Sequence, residues 1–286
     1  MHRNFFVNDP DAFTVSKQVL LDQNWHQSKS GLTLNEAEVS IALSAVSGGM
    51  FEIGDDLPSL AADPERLALV ENPDLVQIAR LGRAAIPLDL MTYDPADEQP
   101  SVFFLHEDPR LAILTVFNWT EASRSHSFQL ADLNIPSGDA VEAFDVLHKN
   151  APVALEGGTL RIENQPARSV RMIKLVDTAV PPAAPSVSAK VPENASTGHD
   201  LELSATADPN GVPALAYYWD FGDGTGAEGE RVPHTYTLAG TFTVRLRVDG
   251  VDGVAAEKSF SIRVSGPLRT RFDLEGNHRY VDPTGP

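Results

Sequence analysis

Two short stretches place carboxylates where chemistry is possible. Phe5-Phe6-Val7 reads as an apolar strand and runs directly into Asn8-Asp9-Pro10-Asp11. Met50-Phe51-Glu52-Ile53-Gly54 reads as a second strand and runs into Asp55-Asp56. Acids at strand ends can transfer protons or grip hydroxyl groups. They can equally cap the turn after a strand or start the next helix. Residue type alone leaves both readings open. The other reactive types exclude more. The chain has no cysteine, which rules out disulfides, thiolate metal sites and cysteine nucleophiles. Its histidines are scattered, none three or four residues from another, so no metal site is expected. No Gly-x-Ser-x-Gly elbow or phosphate loop occurs, and no cofactor is expected.

The elements around these acids read as α/β. Thr33 and Glu36 have the spacing of a capping box ahead of a helix carrying Leu34, Ala37, Ile41 and Ala45 on one face. Gly48-Gly49 should stop that helix. Residues 64–81 read as further helix. Strand, helix, strand, helix argues for βα units and a parallel pair, and the reading assigns residues 1–95 to this part. From 96 to 178 the character changes. Strand-like runs at 101–107, 111–117, 125–131, 140–147, 158–163 and 168–176 are separated by Pro and Gly turns, the pattern of an antiparallel β-sandwich. Residues 179–186, rich in Pro and Ala, read as a semi-rigid linker. Residues 187–265 are β again, and 266–286 read as a loose tail.

Length and charge bound the function. A chain of 286 residues fits two or three domains. Its net charge of -18 repels phosphate backbones, so nucleic acid is excluded as a partner. No run approaches the ~20 apolar residues of a membrane helix, so no membrane association is expected. Met1-His2-Arg3-Asn4-Phe5-Phe6-Val7 has too short an apolar stretch for a signal peptide and reads like the interior of a folded domain. The expectation is a piece of a longer protein. Asn118-Trp119-Thr120 and Asn194-Ala195-Ser196 are glycosylation sequons, meaningful only on a eukaryotic secretory path.

Tyr218-Trp219-Asp220-Phe221-Gly222-Asp223-Gly224, followed by His234-Thr235-Tyr236 and Gly240-Thr241-Phe242-Thr243-Val244, resembles a PKD domain, the immunoglobulin-like module of secreted bacterial hydrolases. Asp208-Pro209-Asn210-Gly211 fits the family's preceding acidic turn. The resemblance implies a spacer, or a module touching polysaccharide or protein, at an extracellular or cell-surface location. Trp219 is expected as the core anchor, with Tyr236 and Phe242 filling the opposite sheet. The turns at Asp208 and Asp223 carry the oxygen ligands calcium prefers but no calcium-loop spacing, so no metal is assigned to them.

The ordered series Asn8-Asp9-Pro10-Asp11, Leu32-Thr33-Leu34-Asn35-Glu36 and Ser47-Gly48-Gly49-Met50-Phe51-Glu52-Ile53-Gly54-Asp55-Asp56 resembles the end of the catalytic barrel in melibiase-type α-galactosidases of glycoside hydrolase families 36 and 27. In that family a β-sandwich follows the barrel, as residues 96–178 would here. The resemblance implies a C-terminal remnant of a (β/α)₈ barrel, a β-sandwich and a PKD β-sandwich, from an enzyme that releases terminal α-galactosides. It places Asn8, Asp9, Asp11, Asp55 and Asp56 at the rim or in the outer contacts of a sugar pocket. It assigns no catalytic residue here, because the family's two catalytic aspartates lie on earlier strands. A barrel takes ~250 residues, far more than precede the sandwich. The remnant is expected to expose the helix face of Leu34, Ile41 and Ala45 and the strand Phe51–Ile53, a surface for self-association. The rival reading is a non-catalytic extracellular protein whose modules bind polysaccharide or protein. Either way carbohydrate is the expected partner.

Overall fold

A computed structural model describes residues 11–17, 31–135 and 140–266, with the backbone of 268–269 and 280–281. The chain forms two compact units, Met1–Pro181 and Pro182–Pro286.

The first unit begins with a polar start to every helix. Thr33 and Glu36 close the capping box of α1 (Leu34–Ser47), with the Thr33 N–H donating to Glu36 Oε2 at 2.9 Å. Gly48 ends it at φ 69°, and a Cβ there would lie 2.2 Å from the Ala84 nitrogen, so only glycine fits. Helices α2 (Leu57–Ala61), α3 (Pro64–Val70) and α4 (Pro73–Leu81) start with Asp56, Asp63 and Asn72 caps, each with Pro in the first two helical positions. The helix expected over 64–81 is therefore two. Pro73 has no N–H for the preceding turn, and Asn72 caps a fresh start instead. The expected strand at 5–7 lies outside the described residues. Among the described residues, the expected strand at 50–54 pairs at Ile53, in a parallel bridge with Phe13. Phe13 N–H donates to the Glu52 carbonyl at 2.9 Å, and Gly54 N–H to the Phe13 carbonyl at 2.8 Å.

The rest of this unit is antiparallel. Its strands are β1 (Ile86–Pro87), β2 (Val102–His106), β3 (Leu111–Asn118), β4 (Arg124–Gln129), β5 (Val141–Asp145), β6 (Ala151–Val153), β7 (Leu155–Glu156), β8 (Thr159–Gln165) and β9 (Ser169–Asp177). They form a six-stranded sheet, β1-β2-β3-β9-β5-β6, and a three-stranded sheet, β4-β8-β7. Leu114, Val116, Ala143, Ile173 and Leu175 from the first sheet and Leu160 and Ile162 from the second share one core. The opposite face of the large sheet meets the helices, with α1 against β9 and α4. Strand β3 is buried along all its length because both its faces are covered.

This arrangement corrects one expectation. Ile41 and Ala45 are fully buried rather than left open, because their helix face packs inward. Phe51 packs against Phe13 with the ring centroids 4.7 Å apart and the planes tilted by 40°. Among the described residues of this unit, the large exposed apolar side chains are Leu43, Met50, Leu57, Ile86, Leu88, Leu90 and Met91.

The second unit holds β10 (Val187–Lys190), β11 (Asn194–Ser196), β12 (Leu201–Ala207), β13 (Ala214–Asp220), β14 (Gly226–Glu228), β15 (Arg231–His234), β16 (Gly240–Gly250) and β17 (Ala255–Ser265). A three-stranded sheet, β10-β12-β15, faces a five-stranded one, β11-β17-β16-β13-β14, across a core of Leu203, Trp219, Phe221, Val232, Tyr236, Leu246 and Ile262. Strand β11 runs parallel to β17, and the other pairings are antiparallel.

Candidate functional site

Of the acids singled out by sequence, Asn8 and Asp9 lie outside the described residues. Asp11 sits at φ 64° and accepts the Ala12 N–H at 2.9 Å. Asp55 reaches back to the segment after Phe13, accepting the N–H groups of Val15 at 2.7 Å and Ser16 at 3.2 Å. Arg66, fully buried, holds the same segment by donating Nη1 to the Val15 carbonyl at 2.6 Å. Asp56 caps α2, accepting the Ser59 N–H at 3.1 Å and the Ser59 hydroxyl. Asp11 precedes the Phe13–Ile53 bridge and Asp55 follows it. In a parallel pair those positions stand at opposite ends, so Asp11 is not brought beside Asp55.

A cluster that sequence reading missed joins the helices to the large sheet. His148 Nδ1 lies 3.0 Å from Asp145 Oδ1, and its Nε2 lies 3.8 Å from Glu38 Oε1 on α1. Arg171 on β9 binds Asp145 Oδ2 at 2.8 Å. Lys174 meets Asp74 Oδ1 on α4 at 2.6 Å, and Asn150 donates to the same carboxylate at 2.7 Å. Burial raises the Glu38 carboxyl pKa. The bond to Asp145 raises that of His148. Burial opposes ionisation of Asp145, but His148 and Arg171 together hold it below the usual carboxylate range. Glu107, almost fully buried beside Gln77, is pushed up to about 7 by loss of solvent. The only local signal was the Asp145–His148 spacing of three; the other partners are far apart in sequence.

The two sequons separate clearly. Asn118 is fully buried, and its amide donates to the carbonyls of Ala122 at 2.8 Å, Pro166 at 2.7 Å and Gln165 at 3.2 Å. Asn194 is exposed on β11. Trp119 is half-buried, stacked at 4.6 Å on Phe117, with its indole N–H on the Pro100 carbonyl.

In the second unit, Trp219 is buried and donates Nε1 to the Gly229 carbonyl at 3.0 Å. Tyr236 donates its hydroxyl to the Phe221 carbonyl at 2.9 Å, and burial pushes its pKa up to about 12. His234 stacks on Phe221 at 3.9 Å and pairs with Asp223 at 2.9 Å, fastening the turn that follows. Gly222, at φ 78°, lies so close to β16 that a Cβ would come within 2.5 Å of the Thr243 carbonyl. Each motif residue of this loop thus has a packing or turn role. Among the described residues no three acids or histidines converge as a metal site. No helix among them is long and apolar enough to cross a membrane.

Residues 182–264, within the second unit, match the family model of the PKD domain, and the PKD domain is this stretch. Three solved structures are similar to parts of the chain. α-Galactosidase I from Mortierella vinacea is 16% identical over 52% of this chain and 37% of its own, with a TM-score of 0.42. A putative α-galactosidase/melibiase from Bacteroides fragilis is 16% identical over 58% and 34%, with a TM-score of 0.45. The PKD1 domain of Vibrio anguillarum Epp is 26% identical over 30% of this chain and all of its own, with a TM-score of 0.25. The chain thus spans about a third of the length of the two galactosidase structures.

Proposed function

We propose that residues 1–178 are the C-terminal part of a secreted α-galactosidase-like glycoside hydrolase and that the PKD domain is its accessory module. In this reading residues 1–95 derive from the end of a catalytic barrel, 96–178 form the sandwich that closes it, and 179–186 link the PKD domain. The observation that carries the reading is the parallel Phe13–Ile53 pairing across α1, followed, after the short helices α2 to α4, by an antiparallel sandwich. A βα step of this kind needs further parallel neighbours to build a sheet. PKD domains occur in extracellular proteins, which supports the location.

Retaining glycosidases need two carboxyl groups about 5 Å apart across one sugar. Asp55 and Asp56 are committed to backbone partners, and Asp11 stands at the other end of the bridge from Asp55. In this reading the chain contributes rim and support to a galactoside pocket completed by upstream strands: Asn8, Asp9 and Asp11 supply contacts at its edge, while Asp55 and Asp56 act as support through the backbone they bind. The test is hydrolysis of an aryl α-galactoside by the purified chain and by a version extended upstream in its gene. Turnover is expected only from the extended protein, and Asp9→Asn or Asp11→Asn should impair it there. Turnover by the 286-residue chain itself, lost on Asp11→Asn, would overturn the reading.

A further inference from the structure

The second unit places Asn or Asp directly before glycine at Asn210-Gly211, Asp223-Gly224, Asp249-Gly250 and Asp252-Gly253. At this spacing the glycine nitrogen can close a five-membered ring on the preceding side chain, and no Cβ crowds its approach. Structure holds back the three aspartates. Asp223 accepts the Thr225 N–H at 3.0 Å and hydroxyl at 2.6 Å, and pairs with His234 at 2.9 Å. Asp249 binds Arg247 at 2.7 Å, and the Gly250 N–H is tied to the Val254 carbonyl at 3.1 Å. Asp252 accepts the Ala183 N–H at 3.1 Å, and the Gly253 N–H is tied to the Gly250 carbonyl at 3.0 Å. An ionised carboxylate is also a poor electrophile.

Asn210 differs on each count. It is a neutral amide, exposed in the turn between β12 and β13. Its side chain makes no hydrogen bond among the described residues. The turn is fixed at its base, where the Asp208 N–H donates to the Ser186 carbonyl at 2.8 Å and the Asp208 carboxylate accepts the Asn210 N–H at 3.0 Å. The Gly211 N–H reaches the Asp208 carbonyl at 3.2 Å, a turn bond that can open without disturbing either sheet. A Cβ on Gly211 would meet nothing nearer than 3.7 Å, so packing does not demand glycine here as it does at Gly222.

We propose that Asn210 is a self-modification site, deamidating in the folded protein with water as the only co-reactant. The Gly211 nitrogen attacks Asn210 Cγ. The new C–N bond closes a succinimide, the Cγ–Nδ2 bond breaks, and ammonia leaves with the proton given up by the Gly211 nitrogen. Water then adds to one ring carbonyl, that C–N bond breaks and the nitrogen takes back a proton. Opening at the side-chain carbonyl gives aspartate, and opening at the main-chain carbonyl gives isoaspartate. Either product adds a negative charge close to Asp208, and isoaspartate lengthens the main chain by one methylene. Both changes fall where the chain passes from the three-stranded to the five-stranded sheet, outside every ladder, so the fold persists. The inference concerns the PKD domain alone and does not rest on the α-galactosidase reading.

Ageing the whole chain in mildly alkaline buffer, followed by peptide mass spectrometry that separates aspartate from isoaspartate, tests it. Amide loss is expected at Asn210 roughly tenfold faster than at the exposed Asn194 and Asn164, which precede Ala195 and Gln165. The rate should rise with pH, because the attacking nitrogen must lose its proton. Gly211→Ala, which the open space admits, should slow the loss about tenfold by crowding that nitrogen. Circular dichroism of the aged protein should keep the native spectrum. Equal rates at Asn210 and Asn194 would overturn the proposal, as would an unchanged rate in Gly211→Ala. Isoaspartate appearing at Asp223 or Asp249 before Asn210 would overturn the ranking on which it stands.

Discussion

The backbone N–H of Val15 donates to Asp55 Oδ2 across forty residues of sequence, at 2.7 Å. An acid singled out for pocket chemistry is thus also a clamp. It holds the strand segment on one side of α1 to the turn on the other, while Arg66 grips the carbonyl of the same residue.

Removing that clamp should loosen the first unit locally before it lowers global stability. Asp55→Ala leaves the Val15 and Ser16 N–H groups without their acceptor, a loss of roughly 2–4 kcal/mol for two charge-assisted bonds. Hydrogen exchange of residues 12–16 should accelerate in the variant. Unchanged protection there would mean the contact carries no stability.

The joint between helices and sheet should weaken as pH rises through neutrality. Glu107 has a pKa of about 7 in the fold, against 4.5 ordinarily. The folded state keeps a proton that the unfolded chain releases, so its stabilising contribution is complete below about pH 4.5 and lost as pH climbs to 7. The full change is on the order of 3 kcal/mol. His148, also raised, contributes in the same direction: its part is present below the ordinary histidine range and lost above its folded pKa. Asp145, lowered, acts oppositely and only in acid, where its contribution disappears. Urea midpoints of the first unit should therefore fall from about pH 4.5 to 7, the window of Glu107, with His148 extending the fall above the ordinary histidine range. Glu107→Gln should flatten that slope and stabilise the protein at pH 8. A flat wild-type profile would refute the assignment of Glu107 as a buried acid.

Trp219→Ala should destabilise the PKD domain by ~3–5 kcal/mol, since it empties a large core site and orphans the Gly229 carbonyl. Calorimetry of the whole chain should show one transition moving down and the other staying. An unmoved profile would mean that Trp219 is not a core anchor.

What sequence could show followed the range of each signal. The sandwich strands were legible because alternation and turn residues act locally: the run expected at 111–117 is β3 at Leu111–Asn118, and that at 168–176 is β9 at Ser169–Asp177. The PKD motif was legible for the same reason, each residue serving a nearby turn or core position. The break at Asn72-Pro73 was readable and missed, a cap followed by Pro inside a helical pattern. The burial of Ile41 and Ala45 was not readable, because it depends on β9, more than a hundred residues later. The Asp74–Lys174 pair fails for the same reason. For the candidate acids, residue type suggested pocket or cap, and only the fold could separate Asp56, a local cap, from Asp55, a long-range clamp.

The buried amide of Asn118 has a practical consequence for the choice of expression host. In a eukaryotic secretory path, oligosaccharide is attached to the nascent chain at sequons before a sandwich such as this can close. A sugar on Asn118 would occupy the nitrogen that must reach Ala122, Gln165 and Pro166, and the modified chain could not complete the end of β3. Yeast or mammalian production should therefore yield a misfolded, retained fraction, whereas a sugar on the exposed Asn194 is compatible with the native fold. The usual remedy of replacing the asparagine would itself break five hydrogen bonds, three donated by the amide and two accepted from Thr120. Thr120→Val removes the signal from the other side and gives up only the hydroxyl contacts to Asn118 and Ala122.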